Sequence, residues 1–209
     1  MIISDNEAIE KILNGGIVAL PTDTVYGLSA KIECEIAIKK IFDLKKRPLS
    51  SPLITLIADI NTLIDLTLIL PPNTIHLAYA FWPGPLTMVL PVNPLKVPSI
   101  VRAGENTCAF RIPANKELLA IIQKTGPIVS TSANITQTPS TTDPKKIEEA
   151  FGKDFPIVEK SSDSPLIGVE STLIAYEDSR WKILRNGAIP PNHFTAVLGY
   201  DPEYICKKK

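Results

Sequence analysis

The chain has 209 residues, enough for one large domain or two small ones with a real core. Hydrophobic residues make up 44% and charged residues 21%, which reads as soluble and globular and excludes a disordered or fibrous chain. Lys+Arg and Asp+Glu balance at 22 each, so overall charge gives no hint of a nucleic-acid partner and any basic patch must be local.

In chain order, "SDNEAIEKILNGG" predicts a helix. Ser4 and Glu7 have capping-box spacing, Ile9, Ile12 and Leu13 share a face, and Gly15 and Gly16 end it. "IVALPT" predicts a buried strand running into the polar cluster "PTDTVYG", and "EIAIKKIFDLKKRP" a helix stopped by Pro48. "PLITLIA" predicts a strand, and residues 59–81 helical pieces broken by Pro71-Pro72. "PLTMVLPV" and "CAFRIP" are strands, and "KELLAIIQKTG" is a helix closed by Gly126. "PIVSTSA" is a strand ending in the polar loop "SANITQTPSTTDP". Asp143 and Pro144 are the N-cap and first position of the helix "KKIEEAFG". "STLIAY" and "WKILRNG" close the chain as strands, and the three lysines at 207–209 read as a solvated tail. This alternation without repeats or a composition break predicts a single α/β domain, residues 1–209, with a twisted mixed sheet flanked by helices. The 19 prolines imply stiff loops.

Cys34, Cys108 and Cys206 are far apart with no CxxC, which suits reduced cytosolic thiols and offers no zinc spacing. "MIISDNEAIEKIL" lacks the basic start and apolar stretch of a signal peptide. The apolar stretch around residues 63–70 is interrupted by Asp65 and too short to span a bilayer, so a cytoplasmic location without membrane contact is expected.

Polar loops follow several strands: "PTDTVYG", "STSAN" and "LRNG". A helix ends in "LKKRPLSSP". Ligands of open α/β sheets gather beyond strand ends. The loops and strands offer Lys45, Lys46, Arg47, Arg111 and Arg185 as cations beside neutral groups such as Thr22, Thr24, Thr107, Ser130, Thr131, Ser132, Asn134 and Ser171. That mixture suits phosphate or carboxylate. Each part also has a plainer reading: "KKRP" complements a helix dipole, Thr22 and Thr24 cap a turn, Arg111 and Arg185 form structural ion pairs. The chain has no GxxxxGK[ST], no GxGxxG after a strand, no GxSxG and no HExxH. His76 and His193 read as surface or structural residues, which argues against a histidine base or a protein-bound transition metal.

"PTDTVYGL", "IFDLKKRPLSSPL", "WPGPLTMVL", "TCAFRIP", "STSAN" and "ILRNGAI" occur in this order. By these motifs, over roughly residues 5–190, the chain resembles the YrdC-type threonylcarbamoyl-AMP synthases in their single-domain form; longer relatives carry an extra C-terminal domain that this chain is too short to hold. The resemblance implies an α/β fold with a large concave cavity. It implies formation of threonylcarbamoyl-adenylate and pyrophosphate from L-threonine, bicarbonate or CO2, and ATP. Magnesium would travel with the ATP phosphates rather than in a protein cage. The adenylate would serve proteins that modify the tRNA adenosine beside the anticodon. The family's Lys-x-Arg and Ser-x-Asn motifs match Lys45-x-Arg47 and Ser132-x-Asn134, which are implied to carry the catalysis. Thr22, Thr24, Arg111, Ser132 and Ser171 are implied threonine contacts. Arg47, Ser51, Thr107, Asn134, Thr142 and Arg185 are implied nucleotide contacts, and Lys45 would face the phosphates or the carbamate. Two positions depart from the pattern. Many members read SANxSG where this chain has Thr136 and Gln137, and some carry a histidine where Leu56 stands. Two rival readings are a carbamoyl-transferring enzyme of the same superfamily and a double-stranded RNA-binding module, since a concave basic cleft could hold a phosphate backbone.

Overall fold

The computed structural model describes residues 1–161, 163 and 166–205, so Cys206 and the lysines at 207–209 lie outside the described residues. The strands are β1 (Ile2–Ile3), β2 (Val18–Pro21), β3 (Tyr26–Lys31), β4 (Ile54–Leu56), β5 (Leu86–Pro91), β6 (Thr107–Arg111), β7 (Ile128–Ser132), β8 (Ile157–Val158), β9 (Thr172–Glu177) and β10 (Arg180–Arg185). The helices are α1 (Asp5–Leu13), α2 (Glu35–Lys45), α3 (Ile60–Leu66), α4 (Thr74–Phe81), α5 (Lys116–Thr125), α6 (Pro144–Phe151) and α7 (Thr195–Leu198), with a 3-10 turn at Pro191–His193. The strands form one mixed sheet in the order β1-β8-β2-β3-β7-β4-β6-β5-β9-β10.

Local chemistry sets the helix ends. Ser4 and Glu7 form the capping box of α1, in which the Ser4 hydroxyl accepts from Glu7 N while the Glu7 carboxylate accepts from Ser4 N. The Asp143 carboxylate caps α6, with Pro144 in the first turn. Helix α2 ends before the expected proline stop. Lys46 adopts the left-handed conformation (φ 52°, ψ 42°), and Arg47 N reaches back to Phe42 O at 2.9 Å.

"PTDTVYG" is a hairpin turn rather than an open loop. β2 and β3 pair antiparallel with Pro21 opposite Tyr26, and β3 then pairs with β7. The sequence reading missed β3 because its alternate residues, Gly27 and Ser29, are too small and polar to show a buried strand. Gly27 leaves room for the Ser130 hydroxyl: a Cβ would stand 2.3 Å from Ser130 Oγ, which would have to rotate away.

The sheet's two faces have different fates. Ala19, Tyr26, Leu28, Val129 and Phe110 point into the larger core with α2 and α4. Val18, Leu20, Ile128 and Leu56 point the other way, under α1 and α5. Strand β2 is therefore buried on both sides, as its unbroken apolar run implies. Helices α1 and α5 cover only one end of their face. Beyond them the alternation of β7 continues from Ile128 to Ser130 and Ser132, and that of β6 runs Thr107, Ala109, Arg111. These side chains line a cavity of about 820 Å³ on the uncovered part of the sheet. No helix among the described residues is long and apolar enough to cross a membrane.

Candidate active site

Nine of the twelve implied site residues line this one cavity, Thr22, Thr24, Arg47, Ser51, Thr107, Arg111, Ser132, Ser171 and Arg185, together with the candidate neutral groups Ser130 and Thr131. Lys45, Asn134 and Thr142 do not, and neither histidine does. His76 and His193 are exposed. Thr142 sits on the approach to α6, beside Gly168, because Tyr26 N holds the preceding Thr141 carbonyl at 3.0 Å.

The two paired motifs divide in the same way. The left-handed residue Lys46 turns the backbone between Lys45 and Arg47, so the two side chains part. Arg47 goes to the cavity. Lys45 is 1% exposed and points under the loop that follows β7. Its ammonium donates to the Ser132 carbonyl, to the Asn134 carbonyl at 2.6 Å and to Asn134 Oδ1 at 3.3 Å. The Asn134 amide donates in turn to Ile135 O at 3.1 Å and to Thr138 O. Lys45 and Asn134 thus staple the loop from behind, while Ser132 presents its side chain to the cavity. The expectation that Lys45 faces a phosphate meets a different geometry: its donors are turned toward backbone carbonyls. Burial, with help from Arg47, pushes its pKa from 10.5 down to about 8, against a smaller opposing effect of Glu170. In the same loop Gln137 takes φ 72°, the left-handed conformation glycine would adopt without penalty.

Arg111 is 4% exposed and held at three nitrogens. Nε donates to Gly84 O at 3.0 Å, Nη1 to Thr24 Oγ1 at 2.9 Å, and Nη2 pairs with the buried Asp23 carboxylate. Arg111 also shows the plainer ion-pair reading to be correct as far as it goes, since it lines the cavity while paired. The Thr22 hydroxyl is committed to the turn. It accepts from Thr24 N at 3.0 Å and Val25 N at 3.2 Å and donates to Val25 O at 2.7 Å. That is the turn-capping reading of Thr22. The threonines of "PTDTVYG" therefore build a rigid turn whose outer hydroxyl, on Thr24, fixes the guanidinium.

Arg185 leaves the end of β10 and lies along Ser171. Nε and Nη2 donate to Ser171 O at 3.2 and 2.9 Å, Nη2 also reaches Ser171 Oγ at 3.0 Å, and Nη1 pairs with Glu170 at 2.7 Å. Thr87 holds the Ser171 hydroxyl from the other side at 2.7 Å. Gly187 permits this crossing: a Cβ there would stand 2.3 Å from Ser171 C and Thr172 N. Arg47 is fixed by Nη2 to Pro52 O at 2.9 Å and Nε to Ser51 O at 3.4 Å. Burial, then the nearby Arg185, lowers its pKa, while Glu170 acts against this. Glu170 and Arg102, both on the cavity wall, were missed in the sequence. Their only signal was position, Glu170 just before Ser171 and Arg102 in the turn preceding β6.

The cavity wall therefore carries four guanidiniums held by hydrogen bonds, those of Arg47, Arg102, Arg111 and Arg185, and several hydroxyls, a cradle for at least two anionic groups. Residues 10–187 match the Sua5/YciO/YrdC family model, described as telomere recombination. The chain belongs to this family. A threonylcarbamoyl-AMP synthase of Bacillus subtilis (strain 168) is 40% identical over 185 residues, 88% of this chain and 53% of that protein. One of Pyrococcus abyssi is 40% identical over 190 residues, 90% of this chain and 55% of that protein. The crystal structure of P. abyssi Sua5 complexed with L-threonine aligns with a TM-score of 0.90 at 37% identity, covering 98% of this chain and 62% of that one. The chain spans about half the length of these curated relatives.

Proposed function

We propose that this chain, acting in the cytoplasm, joins L-threonine, CO2 or bicarbonate, and ATP into threonylcarbamoyl-AMP and pyrophosphate. The observation that carries the reading is the fixed placement of Arg111, Arg47 and Arg185 around one cavity. Arg111 has five N–H donors, and three are committed to Gly84, Thr24 and Asp23. The other two suit the carboxylate of an amino acid, with Ser132 and Ser171 within the same wall for its remaining polar groups.

The amine of threonine adds to CO2, giving a carbamate and a proton. A carbamate oxygen attacks the α-phosphorus of ATP, the bond to the β-phosphate bridging oxygen breaks, and pyrophosphate leaves. The nucleophile belongs to the substrate, so the protein needs no nucleophilic side chain. Its part is to hold two anions together and to balance charge on the phosphates, which is proximity and electrostatic preorganisation. Arg47 and Arg185 supply the charge. Lys45 and Asn134 keep the Ser132 loop in place. Mg2+ enters with the triphosphate as part of the substrate. The adenylate would pass to proteins that modify tRNA.

Pyrophosphate release measured with each substrate omitted in turn tests this reading. Release that needs both threonine and bicarbonate supports it. Release from ATP alone, or none with all three present, contradicts it.

A further inference from the structure

Glu170 stands one residue before Ser171, with its backbone fixed by Ala188 N at 2.9 Å. Its carboxylate is 2.7 Å from Arg185 Nη1, and the two side chains are 34% and 35% exposed on the cavity wall. Arg185 does not need this contact to hold its place. Its Nε and Nη2 are already anchored on the Ser171 carbonyl and hydroxyl. Glu170 takes the one terminal nitrogen that those neutral partners leave over. Arg47 is built alike: Nε and Nη2 lie on the carbonyls of Ser51 and Pro52, and Nη1 has no hydrogen bond to another described residue. Burial and a neighbouring arginine lower the pKa values of Lys45 and Arg47, and the Glu170 carboxylate partly opposes this in both, so it sits in the field of three cations. A carboxylate oxygen and a phosphate oxygen make the same demand on Nη1.

We propose that Glu170 is a built-in competitor for phosphate: its carboxylate holds Arg185 Nη1, and the phosphates of a nucleotide bind by displacing it. The proposal rests on the reading above that Arg185 takes phosphate. An ion pair this exposed is weak, so displacement is cheap. The displaced negative charge stays on the wall and repels polyphosphate, the more so the higher the ligand's charge. Glu170 thus loosens the site for ATP and for the pyrophosphate product, and leaves recognition of the nucleoside untouched.

Glu170→Gln removes the charge and keeps an oxygen able to accept from Nη1. Calorimetry on the wild type and this variant, with adenosine, AMP, ATP and inorganic pyrophosphate, with and without Mg2+ and at two ionic strengths, tests the proposal. The variant should bind ATP and pyrophosphate about tenfold tighter, gain less for AMP and nothing for adenosine, and lose part of the gain at high salt. A side chain that merely positioned Arg185 would give no gain graded by ligand charge. Equal or weaker polyphosphate binding in the variant overturns the proposal. So does a loss of affinity confined to Mg2+, which would make Glu170 a metal ligand. If the wild type binds phosphates and the variant no tighter, this proposal alone falls. If the wild type binds neither ATP nor pyrophosphate, the proposed function falls with it.

Discussion

Replacing Lys45 by methionine and titrating both proteins isolates the cost of burying an ammonium. Burial lowers the pKa of Lys45 from 10.5 to about 8. The unfolded chain therefore holds more protons than the folded one between these values, and stability rises with pH across that window. Below pH 8 both states are charged and the full desolvation cost stands; above 10.5 both are neutral and it is gone. The gap of about 2.5 units corresponds to about 3 kcal/mol, of which about 2–3 kcal/mol should appear by pH 10. Other groups titrate in this range with the opposite sign: burial raises Tyr26 to about 12 and Cys108 to about 11, so each lowers stability as pH climbs past its unfolded value. These are common to both proteins and cancel in the difference. Urea unfolding at pH 7, 8, 9 and 10 gives the two curves. The wild type should gain about 2–3 kcal/mol on Lys45→Met from pH 7 to 10. A difference independent of pH, or one that falls with pH, would refute the buried, desolvated ammonium.

Arg47→Ala and Arg185→Ala should each weaken ATP binding by about 1.5–3 kcal/mol, and Arg47→Ala should leave threonine binding near its wild-type value; calorimetry showing unchanged ATP affinity in both would remove them from the nucleotide site. Gly187→Ala should cost about 2–4 kcal/mol in urea unfolding, because a Cβ 2.3 Å from the Ser171–Thr172 backbone forces the segment after β10 away from the start of β9. Gln137→Gly should add about 1 kcal/mol by relieving the left-handed backbone, and an unchanged or lower midpoint would show that the loop is not strained there.

Much of the fold was legible because it rests on short-range chemistry. The Ser4–Glu7 capping box, the Asp143-Pro144 helix start and the break at Pro71-Pro72 between α3 and α4 need no knowledge of the tertiary structure. The two-residue strands β1 and β8 were not legible, since two residues carry no period. Strand β3 was hidden by its composition: Gly27, on the cavity wall, and Ser29, buried with its hydroxyl on Ser130 Oγ at 3.3 Å, break the apolar alternation that would mark a buried strand. The site was legible as a set of residue types and motifs, and nine of the twelve implied site positions line one cavity. What the motifs could not give was direction. The left-handed turn at Lys46 sends Lys45 under the loop and Arg47 into the cavity, and nothing in "KKRP" announces that turn. Glu170 went unnoticed because a lone acid in a loop carries no signal until Arg185 is brought beside it by the pairing of β9 and β10.

Mass spectrometry of the product formed from ATP, L-threonine and 13C-bicarbonate tests the central claim most directly. The account predicts an adenylate that contains threonine and gains one mass unit from the labelled carbon, together with unlabelled pyrophosphate. A threonyl-adenylate without the label, or ATP recovered unchanged while the protein binds both ATP and threonine, would contradict it.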